Sequence, residues 1–262
     1  MSIFKCIILF TSLAIFQVVF ANQIKVCADD FREELKLKKN LENLSIDVLK
    51  RGILELKKET NVILLLEFMP LPRCMDLLKK GKIDAALNLS YNDERAHFLE
   101  YPPGSGPEEW GVCTSSFKVA CSGYVLITLK SDPYQFNGDR NSLLRPVRVA
   151  RGYSIGKELQ PIYKKDMLIG KSNLANLQDL LKTRTGSVVA NFTFPVNIQK
   201  FYEISDQIKI HTKYISMKSY YIPFAKNSKI KKEFRELFWK KVSAVANDSK
   251  IIDELINSYS KN

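Results

Sequence analysis

The clearest candidate for binding chemistry in this chain is Arg95, which ends a short polar segment. The segment follows residues 83–89, whose near-continuous apolar character predicts a buried strand of a parallel sheet. Ligands of open α/β sheets bind beyond the carboxyl ends of the strands, and the guanidinium fork matches an anion such as a carboxylate. The sequence therefore predicts an anion site in a cleft, at a polar loop that ends in Arg95.

A second candidate for chemistry is the motif GYSIG at residues 152–156, which fits the G-x-S-x-G pattern of a nucleophile elbow. Ser154 would be the nucleophile and His211 the base, with one of three aspartates as the acid: Asp166, Asp179 or Asp206. However, His211 lies in an alternating strand pattern, and no HGGG-type oxyanion segment precedes the serine. We expect a protein that is not an enzyme, and a secreted serine esterase is the alternative.

Other reactive residue types give weaker signals. Adjacent carboxylates could serve as acid–base groups, but in a lysine-rich chain of net charge +12 a solvated surface is favoured for all three pairs: Asp29-Asp30, Glu33-Glu34 and Asp93-Glu94. With two histidines and no C-x-x-C, we expect no metal site and no cofactor. No basic run with interleaved aromatic residues points to nucleic acid.

Residues 1–21 have the pattern of a secretory signal peptide. Lys5 precedes an apolar run of 15 residues, and Val19-Phe20-Ala21 is a small-residue cleavage site. The run is shorter than the roughly 20 residues that span a bilayer. We therefore expect cleavage after Ala21 and export of residues 22–262, whose net charge is +11 because Lys5 is lost.

An exported chain with four cysteines is expected to form disulfides. Cys113 and Cys121 enclose a short loop and are the natural local pair, which leaves Cys27 with Cys74. Four cysteines allow three connectivities, so the other two stay open.

The elements that must position these residues alternate between strands and helices, which predicts an α/β fold. Strands are expected at 23–28, 62–68, 83–89, 123–129, 147–150, 187–190 and 208–215, and helices at 47–59, 74–80, 174–182, 229–246 and 251–259, with a strand or extended connection at 220–225. The segments DLLKKGKIDAALN and DLLKTRTGSVVAN share one pattern, a helix with a Leu-Leu-Lys end followed by a short apolar strand. Because two similar α/β units occur in one chain, we expect two lobes with a cleft between them. The first lobe would comprise residues 22–120 and 217–262, and the second residues 121–216.

In its order of motifs, the mature chain resembles the bacterial periplasmic solute-binding proteins. The resemblance is carried by Arg73 in LPRCMDLLKKGKIDAAL, by the loop ending in NDER, and by GYVLITLKSD, VRVARGYS, DLLKTRTGSVVAN and YYIPFAKNS. It is most similar to the polar amino-acid group, the family 3 extracellular solute-binding proteins. The resemblance implies a two-lobed type II periplasmic-binding-protein fold, with a central sheet flanked by helices in each lobe and two crossings as a hinge.

The resemblance also implies a function and a site. A monomer in the periplasm would capture an amino acid or another small carboxylate and deliver it to the membrane permease of an ABC transporter; a ligand-sensing domain is a further alternative. Arg95 would grip the carboxylate and the turn at Gly152 would donate backbone N–H groups to it. The full set of implied ligand-binding residues is Phe31, Asn88, Leu89, Ser90, Arg95, Gly152, Tyr153, Ser154 and Asn191.

Two positions depart from the family pattern. Asn191 stands where the family usually has an aspartate that binds the ammonium group of the ligand, and the usual Asp-Pro-Pro-aromatic opening is absent near Phe31. A neutral amide cannot form that ion pair, so the identity of the solute stays open between an amino acid and a different carboxylate.

Overall fold

The computed structural model describes residues 22–29, 44–106, 113–191 and 206–259. The signal peptide and Phe31 lie outside these residues. The strands are β1 (Asn22–Asp29), β2 (Val62–Met69), β3 (Ala85–Ala86), β4 (Leu89–Ser90), β5 (Leu99–Glu100), β6 (Ala120–Leu129), β7 (Val147–Ala150), β8 (Met167–Gly170), β9 (Ser187–Asn191), β10 (Ile208–Tyr221) and β11 (Phe224–Ala225). The helices are α1 (Leu44–Leu56), α2 (Leu71–Lys79), α3 (Asp93–Ala96), α4 (Ser154–Tyr163), α5 (Asn173–Thr183), α6 (Lys232–Asn247) and α7 (Ser249–Tyr259), with a 3₁₀ turn at Lys164–Asp166.

The first lobe is built on a five-stranded sheet of order β2-β1-β3-β11-β5. Strand β1 alternates between its two faces: Val26 packs in a core with α1 and α6, and Cys27 packs in a second core with α2. The Asp84 carboxylate accepts hydrogen bonds from the Lys25 backbone N–H (2.9 Å) and the Ser228 hydroxyl (2.6 Å). Asp84 thus holds β1 to the segment that follows β11.

The other sheet has six strands in the order β4-β10-β6-β9-β7-β8; its edge strand β4 comes from the chain segment of the first lobe, and the remaining strands form the second lobe. Its apolar core lies between β7, β9 and α4, with Val149, Ile155 and Val189 fully buried. Arg148 is 1% exposed inside this lobe. It donates to Asp179 (2.6 Å), to the Thr185 carbonyl (2.8 Å) and to the Thr183 hydroxyl (2.8 Å).

The long antiparallel pair of β6 and β10 lies within the six-stranded sheet, and the chain passes from the end of β10 to β11 of the five-stranded sheet. Gly123 lies where β6 and β10 approach most closely, because a Cβ there would be 2.5 Å from the Ser216 carbonyl oxygen. Strand β4 pairs with the end of β10, with Ser90 opposite Tyr220, so the segment that leads to Arg95 is tied to this crossing. The residue boundaries predicted for the lobes stay predictions.

Two local expectations are wrong. Residues 83–89 do not form one strand, because Asn88 adopts a left-handed conformation (φ 62°) and the chain passes from β3 in one sheet to β4 in the other. Arg95 lies in the short helix α3 rather than in a loop. The Asn92 side chain accepts a hydrogen bond from the Arg95 backbone N–H (2.8 Å), which caps that helix and fixes the arginine's direction.

The structure contains both disulfides named above. Cys27–Cys74 joins β1 to α2, with a Cα–Cα distance of 5.9 Å. Cys113–Cys121 closes the loop before β6, with a Cα–Cα distance of 5.7 Å. Within the described ranges, no helix has the length and apolar character to cross a membrane.

Candidate functional site

Arg95 lies between the two lobes and contacts both. Its side chain is buried, since the residue is 6% exposed. One terminal nitrogen donates to the Ser90 carbonyl (3.0 Å) in the first lobe, and the other donates to the Gly152 carbonyl (3.1 Å) in the second. Arg95 therefore forms a direct bridge across the cleft.

The charge of Arg95 has no carboxylate partner among the described residues. Two acids near Arg95 in the sequence have other partners: Glu94 pairs with Lys157, and Glu100 pairs with Arg235. The oxygens that Arg95 contacts belong to neutral groups. A buried cation held by neutral acceptors can still gain from an anionic ligand.

The turn before α4 brings the second lobe to Arg95. Gly152 has a φ of 87°, a conformation that side-chain-bearing residues rarely adopt, and Ser154 begins the helix. The Ser154 hydroxyl lies 3.1 Å from the Ser90 hydroxyl across the cleft. In the structure the Gly152 carbonyl accepts from Arg95, and the donation of backbone N–H groups from this turn to a ligand stays a prediction.

A group of tyrosines that the sequence did not single out surrounds this bridge. The Tyr101 hydroxyl donates to the Ser90 carbonyl (2.9 Å), and burial raises the pKa of Tyr101 to about 12, with Arg95 opposing the rise. Burial also raises the pKa of Tyr124 and, more strongly, that of Tyr220. These phenols are therefore neutral at physiological pH. The sequence predicted Tyr124 within a strand and Tyr220 in a strand or extended connection, but such a pattern does not reveal which face turns towards a cleft.

Asn191, the predicted ammonium-side residue, contacts the protein itself. Its amide nitrogen donates to the Tyr220 hydroxyl (3.2 Å), and its oxygen accepts from Ser122 (3.5 Å). Asn88 and Leu89 are placed in the first lobe; Leu89 is 2% exposed in its core, and the Asn88 side-chain oxygen is buried without a hydrogen-bond partner.

Tyr153 crosses the cleft. Its hydroxyl donates to the Asp29 carboxylate (3.1 Å) and accepts from the Asn173 amide (3.0 Å), and its ring lies 6.1 Å from that of Tyr124. Asp29 was expected in a solvated acidic cluster. That expectation is wrong, because Asp29 also accepts from the Leu71 backbone N–H (3.1 Å) and takes part in the contact between the lobes.

Two chambers flank Tyr153. The first, which we call the arginine chamber, has a volume of about 340 Å³ and is lined by residues of both lobes, including Arg95, Met75, Phe98, Lys157 and Ile169. The second, which we call the asparagine chamber, has a volume of about 390 Å³ and is lined by Asp29, Pro70, Leu71, Pro72, Ala150, Arg151, Tyr153, Lys171, Ser172 and Asn173. Both volumes fall in the lower range of small-molecule sites. Of the predicted binding residues, the arginine chamber takes Arg95, Gly152, Tyr153 and Ser154.

The structure does not assemble the serine-hydrolase triad. One ring nitrogen of His211 lies 3.0 Å from the Thr128 hydroxyl, and the other accepts from the Phe136 backbone N–H (3.2 Å). The candidate acids pair with basic residues instead: Asp166 with Arg145, Asp179 with Arg148 and Asp206 with Lys130. The esterase alternative is therefore wrong in its base and its acid. In the part of the chain that the structure describes, no cluster of three or more metal-ligating side chains occurs.

Comparisons with known proteins identify the fold. The chain is similar to a substrate-binding protein of an amino-acid ABC transporter from Streptococcus pneumoniae bound to L-arginine, at 19% identity and a TM-score of 0.66 over 90% of this chain and 94% of that one. It is also similar to a histidine kinase sensor domain, at 13% identity and a TM-score of 0.68 over 90% of this chain and 96% of that one. A third similar structure is the GluR0 ligand-binding core from Nostoc punctiforme in complex with L-glutamate, at 14% identity and a TM-score of 0.62 over 89% of this chain and 98% of that one. No family model and no curated protein matches the chain. The fold is thus the two-lobed periplasmic-binding-protein fold that the sequence predicts.

Proposed function

We propose that the chain is an exported solute-binding protein that captures a small carboxylate-bearing solute between its lobes. The observation that carries the proposal is Arg95, a buried arginine that spans the cleft and whose described partners are all neutral. An incoming carboxylate would replace a neutral carbonyl with a charged acceptor that can take two parallel hydrogen bonds from the guanidinium fork.

Ligand capture would proceed by hinge closure. The solute would enter the open cleft and contact Arg95 and Ser90, and closure about β6 and β10 would bring the Gly152 turn and Ser154 onto it. The closed form, stabilised by the ligand, is then what a membrane partner can recognise. We propose that this partner is the permease of an ABC transporter, that the protein is a periplasmic monomer, and that it binds without catalysis.

A ligand-sensing role is the second candidate, because the chain is also similar to a histidine kinase sensor domain. The two roles differ in what the cell does with the solute. Uptake of a radiolabelled ligand should fall when the gene is deleted if the protein serves a transporter, and should be unchanged if it serves a sensor.

The proposal is tested by a thermal-shift screen of amino acids, organic acids and small peptides against the mature protein. A ligand at a hundred times its dissociation constant should add about 2.7 kcal/mol to the free energy of unfolding. Arg95→Met should abolish the shift of the best ligand. The matched control is Arg73→Met, which removes the same charge from an exposed position of α2. A shift that survives Arg95→Met would overturn the carboxylate clamp.

Absence of catalysis is tested separately. A serine-directed fluorophosphonate should not label the protein, because Ser154 faces Ser90 and lacks the base that would activate it. Labelling that disappears in Ser154→Ala would contradict a pure binding role.

A further inference from the structure

We infer that the solute is a carboxylate with an apolar body and no ammonium group, and that its body lies in the arginine chamber. The inference rests on the proposed function and narrows it to one chemical class. It follows from the apolar lining of the chamber, from the positive charge of its lining residues, and from the partners that the acidic groups near the chamber already have.

Both lobes supply apolar side chains to the arginine chamber. Met75 and Phe98 come from the first lobe, and Met167 and Ile169 come from the second. Ile169 is 45% exposed, although it is a large aliphatic residue on a strand that flanks the cleft. Apolar surface left open beside a buried cation fits a ligand that is apolar at one end and anionic at the other. Methionine sulfur and a phenyl ring also make favourable contacts with aromatic ligands.

The charged residues of the chamber favour an anion. Among the described residues, Arg95, Lys79, Arg151 and Lys157 line it together with one acid, Glu94. Glu94 pairs with Lys157, and this hydrogen bond lowers the pKa of Glu94. The Lys79 ammonium lies 4.8 Å from the centre of the Phe98 ring, beside the apolar wall.

An ammonium group on the ligand would find no suitable counterion in this chamber. The one described acid that lines it is already paired. Asn191 is neutral and is hydrogen-bonded to Tyr220, and Asp29 lines the other chamber, where it accepts from Tyr153. A charge that is moved out of water needs a partner, so a zwitterionic amino acid is penalised relative to the same skeleton without the amine.

The first test compares three ligands that share one skeleton. Calorimetric titration of the mature protein with 3-phenylpropanoate, L-phenylalanine and 3-phenylpropanamide separates the anionic head from the ammonium group. We expect a dissociation constant for 3-phenylpropanoate that is at least about tenfold lower than those of the other two. The 3-phenylpropanoate affinity should be lost in Arg95→Met.

The second test changes the chamber wall. Ile169→Glu adds an anion to the chamber and should weaken 3-phenylpropanoate binding at least about tenfold by charge repulsion. The matched control is Leu168→Glu, because Leu168 is the neighbouring exposed residue of β8 (41%) and does not line either chamber. If Ile169→Glu does not fold, Met75→Gln on α2 replaces it, with an expected loss of affinity from the same wall.

The outcomes separate this inference from the proposed function. If L-phenylalanine or another amino acid binds as tightly as 3-phenylpropanoate or more tightly, and Arg95→Met abolishes that binding, the inference is overturned and the carboxylate clamp stands. Equal effects of Ile169→Glu and Leu168→Glu also overturn the placement in the chamber. If no carboxylate or amino acid binds in a manner that requires Arg95, both proposals fail.

Discussion

Arg148 and Arg95 are both buried arginines, one inside the second lobe and one between the lobes. Arg148 pairs with Asp179 and two further oxygens, all within its own lobe. Arg95 contacts neutral groups of both lobes. The guanidinium group is the same in the two regions, but Arg148 has a carboxylate partner and the described partners of Arg95 are neutral.

This difference separates a residue that stabilises the fold from one that is available to a ligand. The charge of Arg148 is already compensated, so its removal should cost stability and leave binding intact. Arg95 is held in place by carbonyl groups that fix its geometry without neutralising it. A binding site needs this arrangement, because the cation must be positioned before the anion arrives.

The largest expected effect is that of Arg148→Met. The change removes three hydrogen bonds from a buried group and should lower the free energy of unfolding by about 3 kcal/mol, as measured by urea denaturation. The matched control is Arg145→Met, which breaks a more exposed pair with Asp166 and should cost less than about 1 kcal/mol. Equal losses in the two variants would remove the basis for the comparison.

An intermediate effect is expected for Tyr153→Phe, which removes the hydroxyl that bridges Asp29 and Asn173 across the cleft. Of these two hydrogen bonds, only the one to Asp29 joins the lobes; its loss is worth about 1 kcal/mol, so the ratio of open to closed unliganded molecules should rise about fivefold. Small-angle X-ray scattering should then report a larger radius of gyration.

The control for this change is Tyr134→Phe. It removes a hydroxyl that donates to the Ser142 carbonyl within the second lobe, away from the cleft. A radius of gyration that is unchanged in Tyr153→Phe, or equally changed in both variants, would show that the Tyr153 bridge does not hold the lobes together.

The smallest expected effect concerns pH and the interior of the second lobe. Burial lowers the pKa of His211, with Lys209 adding to the shift and Asp132 opposing it. The unfolded chain therefore takes up a proton below its ordinary pKa of about 6.5 while the folded chain stays neutral, so stability falls as the pH decreases from there towards the folded pKa.

His211 should contribute at most about 1.4 kcal/mol per pH unit to the slope of the unfolding free energy against pH. His211→Gln should remove this contribution, as measured by urea titrations at a series of pH values. A slope that persists in His211→Gln would assign the pH dependence to other groups.

Local patterns in the sequence account for much of the fold. Strand β7 (Val147–Ala150) occupies the predicted residues, and α5 extends the predicted helix by one residue at each end, because side-chain periodicity is a local property. The division of residues 83–89 between two sheets depends instead on pairing with β1 and β10, which is a tertiary contact. An apolar run has the same sequence pattern whether it forms one continuous strand or is divided between two sheets.

The sequence predicted the arginine of the candidate site and the turn opposite it, but not the contacts between them. Arg95 and the turn at Gly152 stand out by residue type and position. Tyr153 was included through the family resemblance, but nothing in its sequence context indicates that its ring spans the cleft or that Asp29 receives its hydroxyl. Such contacts join residues 124 positions apart, and a single sequence does not contain their geometry.

The Cys27–Cys74 disulfide has a consequence for the biogenesis of the site. It fastens the end of β1, next to Asp29, to the helix that carries Met75, so it holds together the first-lobe wall of both chambers. Closing a loop of 47 residues is worth about 4 kcal/mol in the chain-entropy relation. Under the proposed export, the chain would lack this constraint until it reaches an oxidising compartment, so the reduced chain should bind its solute more weakly than the oxidised protein.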